Sequence, residues 1–267
     1  MKRHIAGLLF LIAAVPALKY EGQNLCGGCD FMNRLTSRII TVKDAAEKII
    51  RRMAELMSMT YDGTSLEKLK HDLAEKQFIL LLNDESGETE GFSTIQLFDS
   101  SFRGKPVKIV YSGDTVIREE YRGQTVLMHD WWQFTCSVQR KYSTMDVYWM
   151  LISKGWRTYK MIPLFFKEYF PRPGMAVPDD FREFMDSLGN HKFPGEYRNG
   201  LIIPKEPDYL KNAGNDVPER RKNDPDVNFF IKMNPDFGRG DELLCITRLA
   251  PDNLTETGRR ILNDESL

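Results

Sequence analysis

The residues best suited to chemistry lie in the polar stretch Tyr121-Arg122-Gly123-Gln124-Thr125-Val126. It separates a strand-like pattern from a helix-like one. A helix entered directly from a strand presents free backbone N–H groups and its positive dipole end at a sheet edge. An arginine and a glycine at that turn suit a phosphate, because glycine lets the backbone come close and arginine adds charge-assisted hydrogen bonds. The competing reading is ordinary α/β packing, since a strand–turn–helix with one glycine is common. A second candidate is Cys26-Gly27-Gly28-Cys29. One such pair is redox-active, or half of a zinc site, or two unconnected thiols. Zinc needs two more ligands, and His71, His129 and His191 are scattered. No metal is expected.

The elements around the turn follow from periodicity. In Pro106–Tyr111, Val107, Ile109 and Tyr111 alternate with Lys108 and Val110, and the pattern resumes at Val116 and Ile117 after Ser112-Gly113-Asp114. From Thr125 the period changes, and Leu127, Trp131, Phe134, Val138 and Tyr142 share one helical face. Upstream, 41–57 and 65–74 read as helices, and 77–82 and 90–98 as strands. Downstream, 146–153 reads as a strand and 156–170 as a helix ended by Pro171 and Pro173. A short helix at 181–188, a polar Pro-rich loop over 204–225, strands at 227–233 and 242–249, and a final helix at 255–262 complete the chain. Strand, helix, strand implies parallel pairing with a right-handed crossover.

The run Ile117 to Leu127 resembles the acyl-CoA pyrophosphate loop of the GNAT superfamily of N-acetyltransferases. That loop reads Gln/Arg-x-x-Gly-x-Gly/Ala, usually within Tyr-Arg-Gly-x-Gly-hydrophobic-Gly. Tyr121-Arg122-Gly123 matches its start, whereas Thr125 and Leu127 occupy the next two glycine places. A Cβ at those places is expected to narrow the cradle or change how the donor binds. The element order over roughly residues 38–170 is similar to the same domain. The resemblance implies a mixed α/β fold with two splayed parallel strands, flanking helices and a C-terminal extension. The expected division is a signal-like or mobile segment over 1–37, the GNAT-like core over 38–173, and an extension over 174–267 packing on the core.

The resemblance also implies roles. Acyl-CoA is the expected co-substrate, with an acyl carrier protein as the other possible donor, and Arg122, Gly123, Gln124, Thr125 and Val126 form the donor cradle. A carboxylate on or near the central strand serves as base, and Asp114, Glu119 and Glu120 are placed for it. A tyrosine protonates the leaving thiolate, with Tyr169 first and Tyr159 second. His129 is a further candidate base or phosphate neighbour. The acceptor is a small amine, an amino acid among the possibilities. Trp131, Trp132, Trp149, Trp156, Phe165 and Phe166 read as packed core, or as a wide cleft for a long acyl chain. The alternatives in other classes are an acyl-CoA-binding module without turnover, and an exported thiol or zinc protein centred on Cys26 and Cys29.

The 267 residues are 42% hydrophobic and 28% charged, with formal net charge −1. That length supports one sizeable core, and the balanced charge disfavours nucleic acid as a partner. Cys136 and Cys245 fall in apolar surroundings and read as buried small residues. The first 17 residues carry Lys2 and Arg3, then an apolar run, then Pro16-Ala17. This layout is that of a secretory signal, too short for a membrane span, or of an apolar N-terminal helix able to touch a membrane. Coenzyme A donors are cytoplasmic, so the cytoplasm is the expected compartment.

Overall fold

The computed structural model describes residues 34–211 and 217–262. The first 17 residues and the Cys26–Cys29 pair lie outside them. The elements in chain order are β1 (Thr36–Thr41), α1 (Glu47–Thr60), β2 (Tyr61–Asp62), α2 (Leu66–Leu73), β3 (Phe78–Asn83), β4 (Thr89–Phe102) and β5 (Lys105–Ile117). Then come α3 (Val126–Lys141), β6 (Asp146–Ser153), α4 (Trp156–Tyr159), α5 (Met161–Phe165), β7 (Tyr169–Phe170) and α6 (Asp179–Lys192). The chain continues through β8 (Tyr197–Arg198), β9 (Leu201–Ile202), β10 (Tyr209–Leu210), α7 (Pro225–Met233), β11 (Glu242–Arg248) and α8 (Glu256–Leu262).

The main sheet runs β1-β3-β4-β5-β6-β11-β9-β8, with β7 also on β11. All neighbours are antiparallel except β5 and β6, which are parallel from Val107↔Asp146 to Ser112↔Leu151. This is a mixed α/β sheet covered on both faces, with one parallel pair among antiparallel neighbours. One face carries α3, α4, α5, α7 and α8, whose apolar side chains meet Leu80, Val110, Trp149 and Cys245. The other face carries α6 over Ile109, Met150 and Ile246, and α1 and α2 over Ile79, Leu81, Phe92 and Val116. The alternation of β5 therefore feeds two different cores, as expected for a strand buried on both sides. The large aromatic groups fill the first face rather than line a cleft: Trp131 lies 4.4 Å from Trp149, and Phe166 touches both Trp132 and Trp149. Beyond residue 173 the chain supplies β11, which pairs with β6 from Leu243↔Ser153 to Arg248↔Tyr148.

Three expectations are corrected. The strand expected at 227–233 is helix α7. Asp224 caps it by accepting from the N–H groups of Asp226 and Val227, and Pro225 takes the first turn. Proline at that position costs the helix nothing, and the aspartate before it is a start signal that outweighs the β-prone Val-Asn-Phe-Phe-Ile run. The helix expected over 156–170 breaks into α4 and α5, and its end is the extended pair β7. The helix expected from Thr41 starts at Glu47, since Thr36–Thr41 instead pairs with β3 as an edge strand. Replacing Asp224 by alanine removes the cap of α7 and an ion-pair partner of Lys160. The denaturant midpoint should fall by the equivalent of roughly 0.5–2 kcal/mol, with unchanged slope.

Candidate active site

The site begins at an irregularity in β5. Opposite β4, Ser93 pairs with Thr115 but Ile95 pairs with Ser112, so Thr94 alone faces both Gly113 and Asp114. One extra residue in β5 makes a bulge, which re-aims the side chains that follow it. Val107, Ile109 and Tyr111 point to the α6 face, and beyond the bulge Val116 joins the α1/α2 core on the same side. Asp114, two residues before Val116, is thereby turned toward α2 rather than α3. Glycine is required at 113 because a Cβ there would sit 2.6 Å from both Lys76 Nζ and Thr94 Oγ1.

At the same height the parallel ladder stops. Its last pair is Ser112↔Leu151, while β5 continues through the five residues Gly113–Ile117 without a β6 partner. Ser112 closes the floor of this opening. Its buried hydroxyl accepts from Trp131 Nε1 at 3.1 Å and Trp149 Nε1 at 3.0 Å. One oxygen thus satisfies two buried indole donors, which otherwise carry a desolvation cost.

On the α2 side of the opening lies a charged cluster. Lys76 pairs with Asp72 at 3.0 Å and stands over the Tyr111 ring. Lys154, just past β6, pairs with Asp208 at 2.6 Å and Glu242 at 3.0 Å. Burial works against the charge of Lys154, but Glu242 and Asp208 hold its ammonium above the usual lysine range. Burial likewise opposes ionisation of Asp72, yet Lys76 holds that carboxyl below its ordinary value. Asp114 goes the other way. Burial first, and then the neighbouring Asp72 carboxylate, push its carboxyl up to about 8. The two carboxyls share a hydrogen bond, and the pair is driven apart, one keeping its proton where the other loses it. None of Asp72, Lys76, Lys154, Asp208 and Glu242 was singled out from sequence. The one available signal was the phase slip from Tyr111 to Val116, which announces a bulge.

The loop expected to cradle the donor stands at the other end of the free part of β5. Gly123 has φ +97, a left-handed value, and nothing lies within 4 Å of where its Cβ would be. Thr125 precedes the 16-residue helix α3 and makes no side-chain cap, so Val126 begins a helix end uncapped by its own threonine. Gln124 accepts from the Leu35 N–H at 3.0 Å, tying the loop to β1. Arg122 is half exposed and donates from Nε to the Ile117 carbonyl at 3.3 Å. Leu127, which stands where the GNAT pattern has glycine, turns its side chain into the core and so does not fill the cradle. These residues fit a pyrophosphate: a backbone able to approach, a helix N-terminus and one arginine.

The other sequence candidates are not gathered here. Glu119 is almost fully exposed in a single 3-10 turn, 3.9 Å from Arg122, and Glu120 pairs with Arg118. Tyr169 sits on β7 opposite Thr247, whereas the tip of β6 lies opposite Leu243. Four strand residues separate the two heights, on the order of 13 Å. Burial, then Asp226, push the Tyr169 hydroxyl up to about 12. Tyr159 is fully buried and donates to the Pro171 carbonyl at 3.0 Å. His129 holds its Nδ1 on Asp130 at 2.8 Å, and Ser37 hydrogen-bonds the same carboxylate. Two cavities, of 130 Å³ beside Tyr148 and 530 Å³ beside Arg172, lie away from the Asp114 cluster. Among the described residues no cluster of His, Cys, Asp and Glu has the makings of a metal site, and no helix is long and apolar enough to cross a membrane.

No protein-family model and no curated protein matches this chain. Solved structures do. The GNAT family N-acetyltransferase YhbS of Escherichia coli, in complex with CoA, is similar at 17% identity and TM-score 0.35, over 48% of this chain and 67% of that one. The Trypanosoma brucei acetyltransferase is similar at 16% identity and TM-score 0.35, over 54% of this chain and 99% of that one. Glucosamine-6-phosphate N-acetyltransferase of Arabidopsis thaliana follows at 15% identity and TM-score 0.31, over 44% and 81%.

Two measurements check this description. Ser112→Ala leaves both indole N–H groups without their acceptor, and should cost roughly 1–3 kcal/mol in chemical denaturation. Asp114→Asn should do the reverse as pH rises. The folded state keeps the Asp114 proton up to about pH 8, while the unfolded chain releases it near 4. The wild type therefore loses stability between those values. The variant lacks this loss, so its melting point should gain on the wild type from pH 5 to pH 8.

Proposed function

We propose that this chain is an N-acyltransferase that moves an acyl group from acyl-CoA to an amine. The observation that carries the reading is the position of Asp114, turned by a bulge toward the point where β5 and β6 part, with a carboxyl near neutrality. A general base works best with a pKa near the operating pH. The cradle at Arg122–Val126 supports the donor half, and the CoA in the similar E. coli structure agrees with that choice. The unpaired backbone of Gly113–Ile117 offers the surface along which the donor's extended arm would run, as an added strand does at a sheet edge.

The chemistry then follows. An amine reaching the opening is deprotonated by Asp114. Its nitrogen attacks the thioester carbonyl, a C–N bond forms and the C–S bond breaks. The proton taken by Asp114 passes to the departing thiolate or to solvent. Amide, free thiol and, from an ammonium substrate, one proton are the products. The exposed Glu119 is assigned no part in the base step. Arg122, Gly123, Gln124, Thr125 and Val126 are assigned to donor binding through backbone N–H groups and the guanidinium. The missing glycines favour a donor-binding module without turnover as the alternative, and the inward turn of Leu127 weighs against it at one of the two places.

The test is release of free thiol from acetyl-CoA and longer acyl-CoA in the presence of amines. Asp114→Asn should lower kcat by about 10²–10⁴ without lowering the melting point. The pH profile of the wild type should rise to a plateau with an apparent pKa near 8. Arg122→Ala should weaken donor binding, read as a lost melting-point shift with acyl-CoA, and leave this pKa in place. Thiol release unaffected in Asp114→Asn would remove the assignment.

A further inference from the structure

The larger cavity, of 530 Å³ and open to solvent, has no part in the proposed reaction. It lies between α5, the segment after β7, and the starts of α7 and α8. Pro163, Phe166, Pro173 and Met175 give it an apolar wall. Met175 is half exposed, as is Leu164 beside Pro163 in the chain. A space of this size and lining suits a small molecule with an apolar body. Its charges are unevenly matched. Arg172 and Lys167 line it, and among the described residues neither makes an ion pair, Lys167 donating instead to the Asp252 carbonyl at 3.0 Å. Asp226 is the carboxylate on the wall, and Lys160 stands 3.9 Å from it. The guanidinium of Arg172 is held but not satisfied. Its Nη1 donates to the Lys167 carbonyl at 2.9 Å, its Nη2 meets the Met175 thioether at 2.9 Å, and its Nε is buried without an acceptor. A thioether is a weak acceptor, and a buried N–H without a partner carries its full desolvation cost. Nε and Nη2 form one edge of the guanidinium, spaced to match the two oxygens of a carboxylate. The Met175 side chain is unbranched and half exposed, so its sulfur can leave that edge when a better acceptor arrives.

We propose that this cavity binds an alkyl carboxylate, its head group on the Nε/Nη2 edge of Arg172 and its chain against Phe166, Pro163 and Pro173. The carboxylate supplies the acceptor that Nε lacks and replaces the thioether on Nη2. Lys167 adds a second positive charge near the head group. An alkylammonium of the same length meets two unpaired cations and is repelled, which makes charge the discriminator. The site goes beyond acyl transfer, because its ligand neither gives nor takes an acyl group.

The experiment is calorimetric titration of the full chain at pH 7 with octanoate, 1-octanol and octylammonium. Octanoate should bind saturably, one per chain, and at least ten-fold more tightly than either of the others. Arg172→Ala should abolish that binding. Arg172→Lys keeps the charge without the two-donor edge and should weaken octanoate several-fold, so it carries the test if the alanine variant does not fold. Met175→Ala clears the edge and should bind octanoate at least as tightly as the wild type. Excess coenzyme A should leave the octanoate affinity unchanged. Equal binding of octanol or octylammonium, full octanoate affinity in both Arg172 variants, or no saturable octanoate binding overturns the proposal. Octanoate displaced by coenzyme A and indifferent to Arg172 belongs to the donor site, and overturns it too. Thiol release plays no part in these titrations, so failure here leaves acyl transfer standing, and a chain that releases no thiol from any acyl-CoA can still show this site.

Discussion

The structure depends on one extra residue in β5. A regular strand keeps strict alternation, and Asp114 would then point into the α3 core with the indoles. Opposite Thr94 the chain fits two residues where β4 has one. The bulge turns Asp114 to α2, and it occurs at the height where the β5–β6 ladder ends. Lys76 holds the arrangement from above: its ammonium stands where any side chain at 113 would begin. Strand geometry, ladder end and charged cluster are thus one constraint, because a longer residue at 113 would displace Lys76 from Asp72 and expose the pairing that sets the charge of the cluster.

Two faces of the sheet then divide the work. The α3 face is dry and dense. Trp131, Trp149 and Phe166 pack there, and Ser112 is the polar point that lets two indoles be buried without penalty. The α2 face holds charges that are mostly in ion pairs and one carboxyl, Asp114, that hydrogen-bonds Asp72 instead. Keeping that carboxyl protonated inside the protein is costly at alkaline pH, as expected when a site is held in a state suited to reaction rather than to stability. The segment before β10 belongs to this economy, since Asp208 reaches Lys154 and the strand pair Tyr209↔Asp62 and Leu210↔Tyr61 fixes it on α1 and α2.

The loop proposed as donor cradle at the start of α3 is simpler. It needs a left-handed residue with open space, a helix end, and a positive side chain, all of which are local. Gly123 and Arg122 provide them within two positions, and Leu127, at one of the places where the GNAT pattern has glycine, turns into the core. Gln124 and Asp130 tie this helix end to Leu35 and Ser37, so the edge strand β1 braces the cradle from the side.

Elements whose signal is local are legible along the chain. The alternation in β5, the change of period at Thr125, the glycine at the turn and the strand at 242–249 all follow from side-chain pattern and backbone freedom. The slip from Tyr111 to Val116 even carried the bulge. Where two local signals competed, the pattern misled: Val227–Met233 is β-prone, but the Asp224-Pro225 start makes it a helix. Which distant charges meet is settled by folding alone. Asp72 with Lys76, Lys154, Asp208 and Glu242 come from four separate places in the chain, and nothing in any one of them announces the others. Whether a carboxylate is an exposed turn charge like Glu119 or a half-buried acid like Asp114 depends on desolvation and on neighbours brought by folding. Those are sums over space, which no reading along the chain contains.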